Sequence, residues 1–170
     1  MDTAKSNKFF VIPVVILSLV IGLNTFAKNN MGNEHRNAVS NVANELNKIA
    51  TKDRGIGKEL REVAKEQNES KEKAVEAIEK IGKRNQLKTF FIGTDYKNLG
   101  ALRSAMVTID NHIARLMKAR NRVVSGTNAT SLDKQIEALQ AERSKIESFI
   151  KTNEDRFSLF GWFMKSLDQD

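Results

Sequence analysis

The sequence predicts an all-α protein: an N-terminal apolar signal or anchor helix, followed by an elongated antiparallel helical bundle or coiled-coil hairpins. Three observations predict this class. The chain of 170 residues has a single proline, Pro13, so nothing after it carries the fixed backbone dihedral that interrupts helices. Charged residues make up 29% of the chain and aromatic residues only 6%, a balance typical of charged helical bundles. Apolar residues also recur at steps of three and four, the spacing of one helical face.

An uncharged apolar run, residues 9–23, follows a short head that contains two lysines. Such a run behind a basic head is typical of an export signal, and the flanking lysines tend to stay on the cytoplasmic side. We therefore expect the rest of the chain to be exported across the cytoplasmic membrane, into the cell envelope or the extracellular space. Residues 1–27 are then either a signal peptide cleaved after Ala27 or a transmembrane helix, in which case the uncleaved residues 9–27 tether the protein.

A polar spacer, residues 28–32, leads into a predicted helical domain of residues 33–156. Four amphipathic helices follow one another in this domain, because stripes of apolar residues alternate with glycine-containing or helix-capping breaks. Gly55 and Gly57 indicate a hinge or short turn, and Gly93 can adopt the left-handed conformation that ends a helix. The predicted helices cover residues 33–51, 58–86, 95–123 and 131–154, with Thr94 or Asp95 as the cap of the third and Thr130 or Ser131 as the cap of the fourth.

The last two predicted helices carry the clearest pattern of the sequence, an alternation of apolar residues at heptad spacing. If the chain folds back through residues 125–129, the apolar positions of the two helices meet along their length, with Leu116 facing Leu139. Two arginines, Arg120 and Arg143, interrupt the stripes, and their long stems can cover the seam while the charged heads stay in water. The same stripes could instead join two chains, so a homo-oligomer is the alternative.

Residues 157–170 form an aromatic, amphipathic segment that contains the only tryptophan of the chain. So many aromatic side chains need an apolar partner. The segment therefore either folds back to cap the bundle, against residues 90–92, or lies at a membrane surface or on a protein partner. The candidate contact residues of this segment are Phe157, Phe160, Trp162 and Phe163.

Five basic residues converge at the tip of the hairpin that the last two helices are predicted to form. Basic residues near the C-terminal end of a helix complement its dipole, which explains them without any ligand. The alternative is a surface that binds anionic lipid, an envelope polymer or nucleic acid, in keeping with the formal net charge of +7. No aromatic residue lies between these charges, so stacking on bases, and with it nucleic-acid binding, is not favoured. The five residues are Arg115, Lys118, Arg120, Arg122 and Lys134, and the first four are the candidate contact residues.

The residue types that usually carry catalysis do not form a recognisable site in the sequence. The chain has no cysteine, and its two histidines, His35 and His112, have no second histidine or cysteine at metal-ligand spacing, so both are expected to be solvated. Glutamates at helical spacing, such as Glu66, alternate with lysine and arginine, which predicts ion pairs on a solvent face. We expect no enzyme activity, no cofactor and no metal site.

Three strings of the sequence, GIGKELREVAKEQNES, FFIGTDYKNL and FSLFGWF, resemble those of an uncharacterised family of exported bacterial helical proteins. The resemblance covers residues 34–165. It implies a signal segment followed by a coiled-coil-like helical bundle, and it implies no active site or ligand.

These observations together predict a non-enzymatic envelope protein, exported or membrane-tethered, that acts as a scaffold or interaction module. Its expected partner is another protein or a membrane surface. The alternative function is that of a periplasmic chaperone-like or ligand-binding helical module, which would hold unfolded chains or small apolar molecules on a concave face.

Overall fold

The computed structural model describes residues 30–84, 88–89 and 92–154. Within these ranges the protein contains four long helices and no strand, which confirms the predicted all-α class. The helices are α1 (Met31–Lys52), α2 (Gly57–Lys83), α3 (Tyr96–Arg120) and α4 (Gly126–Glu154).

Two predicted segments lie outside the described residues: the apolar signal or anchor helix in residues 1–27 and the aromatic segment of residues 157–170. Among the helices that the structure does describe, none is both long enough and apolar enough to span a lipid bilayer.

Each described helix packs mainly against two others, so that the four form a closed, bundle-like ring. α1 lies against α2 and α4, and α3 also lies against α2 and α4. Short turns join α1 to α2 and α3 to α4, so the chain forms two helical hairpins that pack side by side. The α1–α2 hairpin therefore meets the α3–α4 hairpin along two seams, one between α2 and α3 and the other between α1 and α4.

Aliphatic side chains from all four helices form one core. Fully burying one leucine side chain is worth about 1.5–3 kcal/mol, so this cluster supplies the main driving force for packing the helices. Leu116 and Leu139, which the heptad pattern predicts to face each other, are both fully buried in the cluster. Other leucines with no exposed surface are Leu46 of α1, Leu60 of α2, Leu102 of α3 and Leu132 of α4.

Ion pairs give the relative direction of α3 and α4. Arg120, the last residue of α3, contacts Asp133 near the start of α4. Arg103, near the start of α3, contacts Glu154, the last residue of α4. The two helices therefore run in opposite directions, and residues far apart in the chain meet at each end of the ring.

One end of the ring, the turn end, contains the α1–α2 turn (residues 53–56) and the α3–α4 turn (residues 121–125). Arg122 of the α3–α4 turn forms an ion pair with Glu59 in the first turn of α2. The two turns therefore lie side by side.

The opposite end, the exit end, contains the first turn of α1, the α2–α3 connection and the last turn of α4. Gly32 of α1 lies against Glu79, which is close to the end of α2. Thr94 of the connection donates a hydrogen bond from Oγ1 to the carbonyl oxygen of Glu154, at 3.3 Å. The chain thus enters α1 and leaves α4 at the same end.

Local caps determine where α3 begins. Gly93 has a φ of 93°, the left-handed conformation expected of a glycine that ends a helical turn. Asp95 then caps α3, because its side chain accepts a hydrogen bond from the backbone amide of Asn98 at 3.3 Å.

The last helix begins earlier than predicted, at Gly126 rather than after Ser131. Its first helical hydrogen bond joins the amide of Ala129 to the carbonyl of Ser125, at 2.9 Å. The residues after Ser125 are weak helix formers, and their propensity alone predicts a loop. Packing of the helix through the buried apolar residues that follow, Leu132 and Ile136, outweighs that local preference.

Gly57 allows the tight turn between α1 and α2. A Cβ atom at this position would lie 2.5 Å from the backbone carbonyl oxygen of Ala50, which cannot rotate away as a side chain could. The turn itself is closed by Asp53, whose Oδ1 accepts a hydrogen bond from the amide of Gly55 at 3.0 Å. The close approach of α2 to α1 at this point therefore requires glycine.

We expect Gly57→Ala to lower the free energy of unfolding by about 1–3 kcal/mol, because the backbone of the turn must shift. Gly100 is the matched control, since it lies inside α3 with open space around it. Gly100→Ala should raise the free energy of unfolding by about 0.5–1 kcal/mol. Urea unfolding followed by circular dichroism measures both, and equal effects of the two substitutions would contradict the close approach at Gly57.

Candidate functional site

Both histidines of the chain are buried, so the expectation that they are solvated is wrong. His35 of α1 and His112 of α3 are each 2% exposed. Each imidazole contacts a glutamate of the other hairpin: His35 contacts Glu142 of α4, and His112 contacts Glu66 of α2. Each of the two seams between the hairpins therefore contains one histidine–glutamate pair.

The His112 pair belongs to a charged cluster between α2 and α3. Its Nε2 atom lies 2.8 Å from Glu66 Oε2, and Arg115 Nη1 donates to the same oxygen at 2.6 Å. Arg115 also reaches Glu62, with Nη2 3.2 Å from Oε2. Because an ionised carboxylate only accepts hydrogen bonds, Nε2 of His112 must carry a proton. The other ring nitrogen, Nδ1, is buried and has no hydrogen-bond partner among the described residues.

The His35 pair lies deeper in the fold. His35 Nδ1 is 2.7 Å from Glu142 Oε1, and the side chain of Glu142 is only 3% exposed. Lys145 lies one helical turn further along α4 and brings its Nζ within 3.6 Å of Glu142 Oε2. Each carboxylate oxygen thus has a partner, which offsets the cost of removing the charge from water.

Burial and hydrogen bonding act in opposite directions on the glutamate pKa values. Burial raises the pKa of Glu142, but the hydrogen bond and charge of His35, together with Lys145, outweigh it and hold the pKa below its usual value. His112 and Arg115 outweigh burial in the same way and lower the pKa of Glu66. For His112 itself burial dominates over Glu66 and lowers the pKa. The site therefore favours ionised glutamates and a neutral His112.

We expect Glu142→Ala to lower the free energy of unfolding by about 3 kcal/mol, because it leaves the buried imidazole of His35 without its acceptor. Glu76→Ala is the matched control, since the carboxylate of Glu76 is exposed and bonds Lys80 on the same helix. That substitution should leave the free energy of unfolding nearly unchanged. If urea unfolding gave the same small effect for both variants, the His35 pair would not be holding the α1–α4 seam.

We expect the free energy of unfolding to fall in two steps as the pH is lowered. An unfolded histidine binds a proton near pH 6.5, whereas folded His112 has a lowered pKa and resists protonation, so stability is lost as the pH falls through that value. Unfolded glutamates bind protons near pH 4.5, and folded Glu66 and Glu142 do so only at lower pH. Further stability is therefore lost below pH 4.5.

Urea midpoints measured at about pH 7.5, 5.5 and 4 separate the two steps. His112→Gln keeps a donor toward Glu66 but does not titrate, so it should remove most of the first step. A first step of unchanged size in this variant would contradict its assignment to His112.

The four basic candidate contact residues of the hairpin tip lie on the turn-end half of α3 and in the turn after it, and the three arginines among them form ion pairs. These residues are Arg115, Lys118, Arg120 and Arg122. Arg120 contacts Asp133 through two nitrogens, at 2.9 and 3.1 Å, and Arg122 contacts Glu59. Arg115 belongs to the His112 cluster. Lys118 is exposed, and within the described part of the chain it has no ion-pair partner.

Apolar and basic side chains are exposed at the exit end, in and beside the α2–α3 connection. The spacing of apolar residues in the sequence did not indicate them, because the connection lies between the apolar stripes of two helices. Ile92 is 68% exposed and Tyr96 is 66% exposed. Lys88 and Lys97 are also exposed, and neither has an ion-pair partner among the residues that the structure describes. The other predicted contact residues follow α4 in the chain and lie outside the described residues: Phe157, Phe160, Trp162 and Phe163.

An open groove of about 460 Å³ lies between α2 and α3. Neither helix contributes a large apolar side chain at this level, so a space is left between them. The α3 wall consists of small residues, Ala101, Ser104, Ala105 and Thr108, and the α2 wall is polar, with Glu66, Glu69, Ser70 and Lys73.

No group of three or more histidine, cysteine, aspartate or glutamate side chains that could hold a metal ion occurs within residues 30–84, 88–89 and 92–154.

No family model, no curated protein and no solved structure matches the chain. The resemblance to exported helical proteins therefore stays a prediction. The clearest features of the described residues are the histidine–glutamate pair in each seam, the groove between α2 and α3, and the exposed apolar and basic side chains of the exit end.

Proposed function

We propose that this protein is a non-enzymatic envelope protein, exported and held at a membrane, that acts as a helical scaffold or interaction module with its exit end toward the membrane. One observation carries the proposal. Three strongly apolar stretches of the sequence all join the described fold at the exit end. These stretches are residues 9–27, 90–92 and 157–163.

The attachment points follow from chain continuity. α1 begins at Met31, and its first turn lies beside the last turns of α2. α4 ends at Glu154, which accepts a hydrogen bond from Thr94 of the α2–α3 connection. Residues before 31 and after 154 therefore leave the fold at the end that also carries the connection. A membrane at this end could take up all three stretches without unfolding a described helix.

The turn end suits a position away from the membrane. It consists of two short turns linked by the Arg122–Glu59 ion pair, and none of the three apolar stretches joins the fold there. Lys118 and the exposed parts of the nearby arginine pairs are available there for a protein partner or an envelope polymer. The helices would then act as a spacer between the membrane and that partner.

We expect deletion of residues 157–170, from a form that begins at Lys28, to weaken binding to lipid vesicles strongly, because the segment holds the aromatic residues best suited to the interface. Vesicle flotation measures the binding, and thermal unfolding checks the fold. Lys118→Glu, at the turn end, is the control and should leave vesicle binding unchanged. Unchanged binding after the deletion, together with a lower melting temperature, would mean that the segment caps the helices instead.

Mass spectrometry of the mature N-terminus distinguishes a tether from a cleaved signal. A chain that begins at Lys28 has been released from its apolar segment, and its membrane contact must then come from the exit end alone. A chain that keeps residues 9–27 should resist extraction by alkaline carbonate. Recovery of the uncleaved chain in the soluble fraction would contradict the proposal.

The groove between α2 and α3 favours a second function, that of a chaperone-like or ligand-binding module. Its volume of about 460 Å³ falls in the range of small-molecule sites. If the groove binds clients, the protein should suppress aggregation of an unfolded chain, and Ala105→Trp should abolish that effect by filling the groove. Val107→Trp, on the exposed face of the same helix, is the control. Absence of suppression by the original protein would eliminate this alternative.

A further inference from the structure

We propose that the α2–α3 connection binds anionic lipid headgroups at the membrane surface. Two exposed apolar residues, Ile92 and Tyr96, and two exposed lysines, Lys88 and Lys97, form what we call the connection surface. The proposal rests on the proposed orientation of the exit end, and it adds the residues that make the contact and the class of lipid that they recognise.

The apolar part of the connection surface has the composition of a membrane interface. Tyr96 is the only tyrosine of the chain, and a tyrosine ring combines an apolar body with a polar tip, which suits the depth of lipid headgroups. Ile92 lies four residues before it and is exposed to a similar degree. Both side chains are exposed, although a large buried core is available in the same fold.

Residues 93–95 of the connection are bonded to Arg84 and to the end of α4. Arg84 Nη2 donates to the carbonyl oxygen of Gly93 at 2.8 Å, and Arg84 Nη1 lies 3.3 Å from Asp95 Oδ2. Thr94 is bonded to the end of α4. A surface fixed in this way loses little conformational freedom when it binds.

The charge of the connection surface selects an anionic partner. Lys97 lies close enough to Glu76 to contribute to the lowering of its pKa, but it is outside ion-pair distance. Lys88 has no carboxylate within ion-pair distance among the described residues. Other cations of the exit end are neutralised within the fold, in the pairs Lys80–Glu76, Lys83–Glu79, Arg84–Asp95, Arg103–Glu154 and Lys151–Glu147. The unpaired positive charge is thus located beside the exposed apolar residues, where anionic headgroups would meet it.

A second copy of the chain fits this surface less well than a lipid surface does. In a symmetric dimer the same patch meets itself, so the lysines of one copy would approach those of the other. The connection surface offers no unpaired carboxylate among the described residues to balance them. An anionic bilayer supplies both the apolar layer and the opposite charge.

The chain contains no cysteine, so single cysteines can carry a fluorescent label in the full-length protein. We would label Ile92→Cys and, as the matched control, Val124→Cys, an exposed apolar position at the turn end. The full chain is reconstituted into vesicles with and without anionic lipid, and nitroxide groups on the lipid headgroups serve as quenchers. We expect the label at residue 92 to shift to shorter wavelength and to be quenched in anionic vesicles, while the label at residue 124 behaves as it does in water.

Lys88→Glu and Lys97→Glu should each lower the ratio of membrane-contacting to free label at residue 92 by about fivefold or more, and only in anionic vesicles. If the chain associates with vesicles but both labels stay in water, this inference fails while the proposed function stands. If the chain does not associate with vesicles at all, both fail. A signal at residue 92 that depends on protein concentration and not on lipid would assign the surface to a second copy and overturn the inference.

Discussion

Burial of one aliphatic face on each helix is the interaction on which the rest of the structure depends. Most of the stability of a helix in a protein comes from packing of its amphipathic face rather than from helix propensity, so each stripe must be covered by its neighbours. Leu46, Leu60, Leu116 and Leu139 have no exposed surface because the four helices close into a ring. Because four helices, an even number, run alternately up and down this ring, the chain enters and leaves at the same end. The position of the exit end, and with it the proposed orientation at a membrane, is therefore a consequence of hydrophobic packing.

Aliphatic stripes alone would allow the two hairpins to slide along each other. A histidine and a glutamate inside such a stripe remove that freedom, because a buried polar group is stable only with its partner in place. His35 reaches from the first hairpin to Glu142 on the second, and His112 reaches back from the second hairpin to Glu66 on the first. A shift of one hairpin by a single helical turn would separate both pairs at once. The pairs thus specify the register of two seams whose main stabilisation comes from apolar contacts.

Much of the local structure could be predicted from the sequence, whereas the pairing between hairpins could not. Gly93 could be recognised because its role depends only on the residues next to it, and the antiparallel direction of α3 and α4 could be predicted because a short turn joins them. No local rule connects His35 with Glu142, which lies on a different hairpin. A signal was nevertheless present, since both residues fall at steps of three or four on the apolar stripes of their helices, where a solvated side chain does not fit. The connection surface gave no such signal, because exposure within a break depends on the tertiary fold.

The thickness of the protein layer on a bilayer tests the central claim most directly. α4 contains 29 residues, so a ring that stands on its exit end should extend roughly 40–45 Å from the membrane surface. A ring that lies on its side would give a layer of about 20–25 Å, two helix diameters. Neutron reflectometry on a supported bilayer that contains anionic lipid distinguishes the two. We expect the thick layer; a thin layer at the same surface coverage would contradict an orientation set by the exit end.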